Sequence, residues 1–171
     1  EHPAVAAGLL SLALAHQECG QYQEALPLFI RSLEIRERIL GHDHMDVAES
    51  LNNLSAVLRI EGRNAEASQM LERSLEIYEK TLGPDHPEMA EALNNLASFL
   101  DMQGSYARAH RLSERALAIY EKSLGPNHPK ISSGLNFLAE SFIRQESWAK
   151  ARTLLERSLT ISERTHDPNH P

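Results

Sequence analysis

Histidine is the residue type in this sequence best suited to chemistry, since a neutral imidazole ligates transition metals and moves protons near neutral pH. The chain has nine histidines in 171 residues. Five of them, His2, His44, His86, His128 and His170, recur at intervals of 42 residues, and "HDH" at 42–44 sets two imidazoles and a carboxylate side by side. A zinc site needs three or four ligands converging on one point. A spacing of 42 instead delivers one histidine to each equivalent place along the chain. The sequence shows no phosphate-binding glycine loop, no nucleophile elbow and no histidine–carboxylate pairing outside the recurrent segments. No catalytic residue, metal or cofactor is therefore expected, and the protein reads as a non-enzyme.

The histidines belong to a repeated hexapeptide: "LGHDHM" at 40–45, "LGPDHP" at 82–87 and "LGPNHP" at 124–129, with partial copies "EHP" at 1–3 and "HDPNHP" at 166–171. Gly41, Gly83 and Gly125 suit the end of a helix, and Pro84 and Pro126 stop it from continuing. The histidine then takes the cap of the next helix, and Pro3, Pro87 and Pro129 take its first position, where a missing N–H costs nothing. The motif reads as a stop followed by a start.

Between the hinges the spacing is helical. Leu93, Leu96, Ala97 and Leu100 fall on one face, matched by Leu51, Leu54, Ser55 and Leu58, by Leu135, Leu138, Ala139 and Phe142, and by Leu9, Leu12, Ala13 and His16. Gly20, Gly62 and Gly104 close three of these helices, whereas Glu146 at the fourth is expected to loosen or reshape its turn. Second helices follow, with core faces Ala25/Leu28/Leu33/Ile35, Ala67/Met70/Leu75/Ile77, Ala109/Leu112/Leu117/Ile119 and Ala151/Leu154/Leu159/Ile161. Each unit is a helical hairpin, and a period in this range signals a stacked array in which each unit touches mainly its neighbours.

The formal charge of −7 argues against nucleic acid, which requires a basic surface. All of the excess lies early: residues 1–85 hold 14 acids and 7 bases, and residues 86–171 hold 10 of each. No apolar run approaches the roughly 20 residues of a membrane helix, so no membrane partner is expected. Cys19 is the only cysteine; it fits a reducing, cytoplasmic setting and is expected to pack in a helix as a small hydrophobe. Both ends fall at the same phase of the repeat, as in a segment of a longer protein.

The order Leu93, Leu96, Ala97, Leu100, Gly104, Tyr106, Ala109, Ala116 resembles the tetratricopeptide repeat (TPR), whose usual period is 34. The longer period, the "LGPDHP" hinge and the "LNNLA" opening are similar to the 42-residue repeats of kinesin light chains. The resemblance covers the whole chain and implies an all-α fold: a right-handed superhelical α-solenoid of four helix-turn-helix repeats, approximately 3–44, 45–86, 87–128 and 129–170. No sustained heptad accompanies it, so motor attachment is not implied. Unit four departs from the pattern, with Phe137 for Asn53 and Asn95, and Trp148 for Tyr22, Asn64 and Tyr106.

In that family the first helix of each repeat lines a concave groove. Carried over, the groove holds Leu10, Leu14 and Gln17; Glu49, Asn52, Ala56 and Arg59; Glu91, Asn94, Ser98 and Asp101; and Ser133, Asn136, Glu140, Ile143 and Arg144. Asn52, Asn94 and Asn136 form a ladder whose amides suit the backbone of an extended peptide, or alternatively bond neighbouring helices together. Four helices at roughly 10 Å spacing give a groove of about 30 Å, room for roughly nine extended residues. The clamp of lysine, asparagine and arginine found in chaperone-binding members is absent, and Glu49, Glu91, Asp101 and Glu140 are mixed with Arg59 and Arg144, which points to a neutral or basic ligand. The resemblance implies a protein-interaction scaffold; a structural spacer or intramolecular sensor in a larger protein is the alternative. The last helix still carries Leu154, Leu155, Leu159 and Ile161, so end-to-end self-association is expected.

Overall fold

The computed structural model describes residues 2–166, and all regular secondary structure among them is α-helical. The chain divides into two compact units, Glu1–Gly83 and Pro84–Pro171. The first contains α1 (Pro3–Glu18), α2 (Tyr22–Leu40), α3 (Met45–Ile60) and α4 (Asn64–Leu82). In it α1 packs on α2, α2 on α3 and α3 on α4. The second contains α5 (Pro87–Met102), α6 (Tyr106–Leu124), α7 (Pro129–Arg144) and α8 (Trp148–His166), paired as α5 with α6 and α7 with α8, with α7 also touching α6 and α5.

The recurrent histidines cap helices. His2, His44, His86 and His128 take extended backbone conformations ahead of α1, α3, α5 and α7. Each Nδ1 accepts the N–H two residues on, from Ala4, Asp46, Glu88 and Lys130, at 3.2–3.3 Å. A ring nitrogen used in this way satisfies one of the orphan donors of a helix start. His170 lies outside the described residues.

The first helix of each pair ends in a left-handed residue. Gln21, Arg63, Ser105 and Ser147 each donate N–H to the carbonyl five residues back, at 2.8–2.9 Å, which is the closure that satisfies the last carbonyls of a helix. The residue before each is Gly20, Gly62, Gly104 or Glu146, with φ of 73°, 76°, 77° and 57°. Glu146 therefore does not loosen or reshape the turn: the chain keeps the same geometry and takes the strain of a side chain in the left-handed region.

Within a pair, small residues meet. Ser32 Oγ donates to the carbonyl of Ala6 at 2.8 Å, Ser74 Oγ to that of Ala48 at 2.9 Å, and Ser158 Oγ to that of Ser132 at 3.2 Å. In the remaining pair the places are held by Ala116 and Ala90, both fully buried. A hydroxyl one bond from the backbone reaches a carbonyl inside another helix only where the two helices approach closely. Around these crossings the expected core faces of α3 and α5 are buried throughout, as are Leu135, Leu138 and Ala139 of α7, with Phe142 half-buried.

Three further expectations are corrected. Leu159, expected on the core face of α8, is exposed. In α1 the buried residues are Ala6, Leu10 and Ala13, while Leu12 is exposed and Leu9 and His16 are half-buried, because α1 packs on α2 and its other flank is open. Cys19 is exposed, since it is the C-terminal cap of α1 and lies beyond the face that packs.

Replacing Glu146 by glycine relieves the left-handed strain and is expected to stabilise the fold by about 0.5–1 kcal/mol, after allowing for glycine's greater freedom in the unfolded chain. A higher midpoint of urea unfolding reads this out; an unchanged or lower midpoint contradicts it.

Candidate functional site

The candidate residues sit on α3, α5 and α7, the helices opened by the histidine caps. In the first unit, Glu49 and Arg59 are exposed and Asn52 is half-buried between them on α3. Glu49 Oε2 accepts from Arg36 Nη1 of α2 at 2.8 Å, and the same nitrogen bonds the Asp46 carbonyl at 2.6 Å and Ser50 Oγ at 2.9 Å. Leu10 is buried and Gln17 half-buried, leaving Leu14 the exposed member of that trio on α1.

In the second unit a cavity of about 290 Å³ opens between α5, α6 and α7. Asn94, Asn95 and Ser98 form one wall, Tyr120 the floor, and Lys130, Ser133, Gly134 and Phe137 the other wall. Lys130 pairs with Glu91 at the rim and lies 5.5 Å from the Tyr120 ring centroid. The structure thus gathers Asn94 and Ser98 around one space, while Glu91 is outside its lining and reaches it only through its pair with Lys130. Asn136, Glu140 and Arg144 lie on α7 outside its lining.

Of the two functions considered for the asparagines, the bond between neighbouring helices is present at Asn94. Its side chain hydrogen-bonds the Tyr120 phenol, which opposes the rise in that phenol's pKa caused mainly by burial. Its Oδ1, however, is buried with no donor from the chain, and so is Oδ1 of Asn52 at the equivalent position. A carbonyl in that state is costly unless something donates to it.

Asp101 behaves differently from the other candidates. It is buried, accepts from Ser141 Oγ, and pairs with Arg144. Ser141 Oγ also lies 2.8 Å from Nε2 of His110, whose ring stacks tilted on Phe142 with centroids 4.3 Å apart. Sequence reading found no histidine and carboxylate brought together outside the hinges, and here α5, α6 and α7 assemble a serine, a histidine and an aspartate. No hydropathy period marks such a cluster; the available signal was that Asp101 and His110 fall at positions where the preceding unit carries Arg59 and Ser68.

The polarity of the cluster is wrong for a nucleophile. The Ser141 hydroxyl hydrogen goes to Asp101 and not to His110, whereas an activated serine gives its proton to the histidine. Ser141 is also fully buried. The cluster is a polar link between helices. Burial holds the His110 pKa below the ordinary imidazole value, against the opposing pull of Asp101.

These helices, caps and small-residue crossings define an all-α solenoid class of helix-turn-helix repeats. Tetratricopeptide repeat models match residues 4–80, 51–122 and 133–171, and the chain belongs to the tetratricopeptide repeat family. Its repeats are of the 42-residue kinesin light chain type. The kinesin light chain-like, nearly identical TPR-like repeats of a Podosopora anserina protein are 29% identical to it, with a TM-score of 0.84 over 100% of this chain and 81% of that one. BtubC (BKLC) from P. vanneervenii shares the fold at 21% identity and a TM-score of 0.88, over 100% of this chain and 68% of its own. The apo form of RapI shares it at 17% identity and a TM-score of 0.83, over 96% of this chain and 58% of its own. No curated protein matches the chain. Proteins of this fold are typically non-enzymatic interaction scaffolds, and no described helix is long and apolar enough to cross a membrane.

Because the His110 pKa is lowered in the fold, the unfolded chain takes up that proton first as pH falls. The contribution is complete above the ordinary imidazole value and is lost as pH drops through the folded one. The stability advantage of the wild type over His110→Gln is expected to shrink between about pH 7 and pH 5. A difference in melting midpoint that stays constant over this range contradicts the assignment.

Proposed function

We propose that the chain is a scaffold for neutral, extended peptide segments of a protein partner, held on the face of α3 in the first unit and on those of α5 and α7 in the second. The observation that carries this reading is the open cavity of about 290 Å³ in the second unit, lined by the amide residues Asn94 and Asn95. A side-chain amide offers both donor and acceptor, and so suits a peptide backbone irrespective of the ligand's sequence. Ser98 and Ser133 beside Asn94 add hydroxyls, and Phe137 gives the cavity an apolar surface for one side chain.

Charge narrows the ligand. Glu49 is neutralised by Arg36, Glu91 by Lys130 and Asp101 by Arg144. Three of the four acids read as groove charges are therefore already paired. This favours the neutral over the basic ligand among the two classes expected from composition.

The test is selection from an unbiased peptide display library by the wild type and by Asn52→Ala/Asn94→Ala, with circular dichroism showing both folded. The wild type is expected to select a consensus that the double variant binds roughly ten- to a hundredfold more weakly, the loss of one or two well-placed acceptors. A consensus bound equally by both proteins, or no selection at all, overturns the proposal.

A further inference from the structure

One residue lining the cavity of the second unit has no explanation inside the fold. Phe137 of α7 is half-buried, and the same place on the other first helices is held by Ser11, Asn53 and Asn95. Three small polar residues there show that the repeat packs without an aromatic ring. Gly134, on the same wall, is different: it is buried, and a Cβ on it would stand 2.8 Å from Cδ2 of Leu117, so the approach of α7 to α6 accounts for it. Gly134 serves the fold, and Phe137 serves the cavity.

The cavity has two unlike walls. On α7 the Phe137 ring and the backbone of Gly134 present carbon, and on α5 the exposed Asn95 and Ser98 present an amide and a hydroxyl. The floor is already engaged. The Lys130 ammonium lies over the Tyr120 ring, 5.5 Å from its centroid, and Asn94 bonds the Tyr120 phenol. Lys130 is itself paired with Glu91, so the charge of the lining is neutralised.

Such walls discriminate among side chains by what each leaves unsatisfied. An aliphatic side chain covers Phe137 but takes Asn95 and Ser98 out of water without partners. A carboxylate or an ammonium gives up its hydration and finds its counter-charge already paired. A short hydroxyl side chain bonds one wall and leaves the ring uncovered. An aromatic side chain lays one face on Phe137 and sets the other against the amide. A carboxamide on a stem of methylenes satisfies both walls, because it carries donors and an acceptor at its tip and carbon behind it.

Given the scaffold function proposed above, on which this assignment rests, we propose that the cavity takes a glutamine side chain of the bound peptide. Its methylenes lie on Phe137, and its carboxamide exchanges hydrogen bonds with that of Asn95. Phe137 and Asn95 are then the specificity-determining pair of the second unit.

Selection of the random peptide display library on the wild type, Phe137→Asn and Asn95→Leu tests this, with circular dichroism showing all three folded. Phe137→Asn carries the residue found at this place on α3 and α5, and Asn95 is exposed, so both variants keep the helix packing. The wild-type consensus is expected to hold glutamine at one position. Phe137→Asn should lose that preference and Asn95→Leu should exchange it for an aliphatic residue, both keeping the rest of the consensus. A synthetic peptide of the wild-type consensus should bind the wild type roughly tenfold more tightly than its Gln→Glu and Gln→Leu versions. A wild-type consensus without glutamine, one with an aromatic or charged residue in its place, or a glutamine preference that neither variant moves overturns the assignment and leaves the scaffold function standing. No selection by the wild type overturns both.

Discussion

The close crossing of two helices in each hairpin is the constraint on which the rest of the structure depends. Ala6, Ala48, Ala90 and Ser132 meet Ser32, Ser74, Ala116 and Ser158 with no room for a larger side chain, and in three of the four cases a hydroxyl spans to a helical carbonyl. Such a bond contributes about 1 kcal/mol net, and Ala116 shows that the fold tolerates its loss. Size is the stricter requirement. Because the pairs are separated by 26 residues each time, the hinge has to return the chain to the same phase. The histidine cap at one end of the first helix and the left-handed turn at the other do this.

The polar groups follow from that geometry. First helices packed closely on second helices place Asn94 against Tyr120, so one side of the amide is occupied within the fold while its oxygen is left without a donor. Asp101, three positions beyond Ser98 on α5, is drawn instead into the contact with α7, where Ser141 and Arg144 satisfy it and His110 bonds Ser141 in turn. Two acidic or amide residues on one helix face thus acquire different roles from a difference of two turns. The paired acids leave a surface of amides and hydroxyls with little net charge of its own.

The fold was legible in the sequence because its signals are local and repeated: the leucine spacing of α3 and α5, the stop–start hinge, and glycines after the first helices. What escaped reading depends on contacts across helices. Ser32, Ser74 and Ser158 look like ordinary polar residues within amphipathic helices until α1, α3 and α7 cross them. Leu12 fits the core pattern of its counterparts Leu54, Leu96 and Leu138 and is nevertheless exposed, because periodicity defines a face without showing whether anything covers it. Glu146 was readable as a departure, but that the chain would keep the turn and hold a side chain at φ 57° was not. Among the candidate site residues the helix and the phase were readable for Asn52, Asn94 and Ser98. The burial of Asp101 was not, since it arises from His110 and Ser141 on two other helices.

The measurement that bears most directly on this account is the urea unfolding of Ala48→Leu. Ala48 is fully buried at a crossing and presents its carbonyl to Ser74, so the added side chain must separate α3 from α4. The account predicts a loss of about 1–3 kcal/mol, as for other overpacked cores. An unfolding midpoint equal to that of the wild type would contradict the claim that close helix crossing sets the structure.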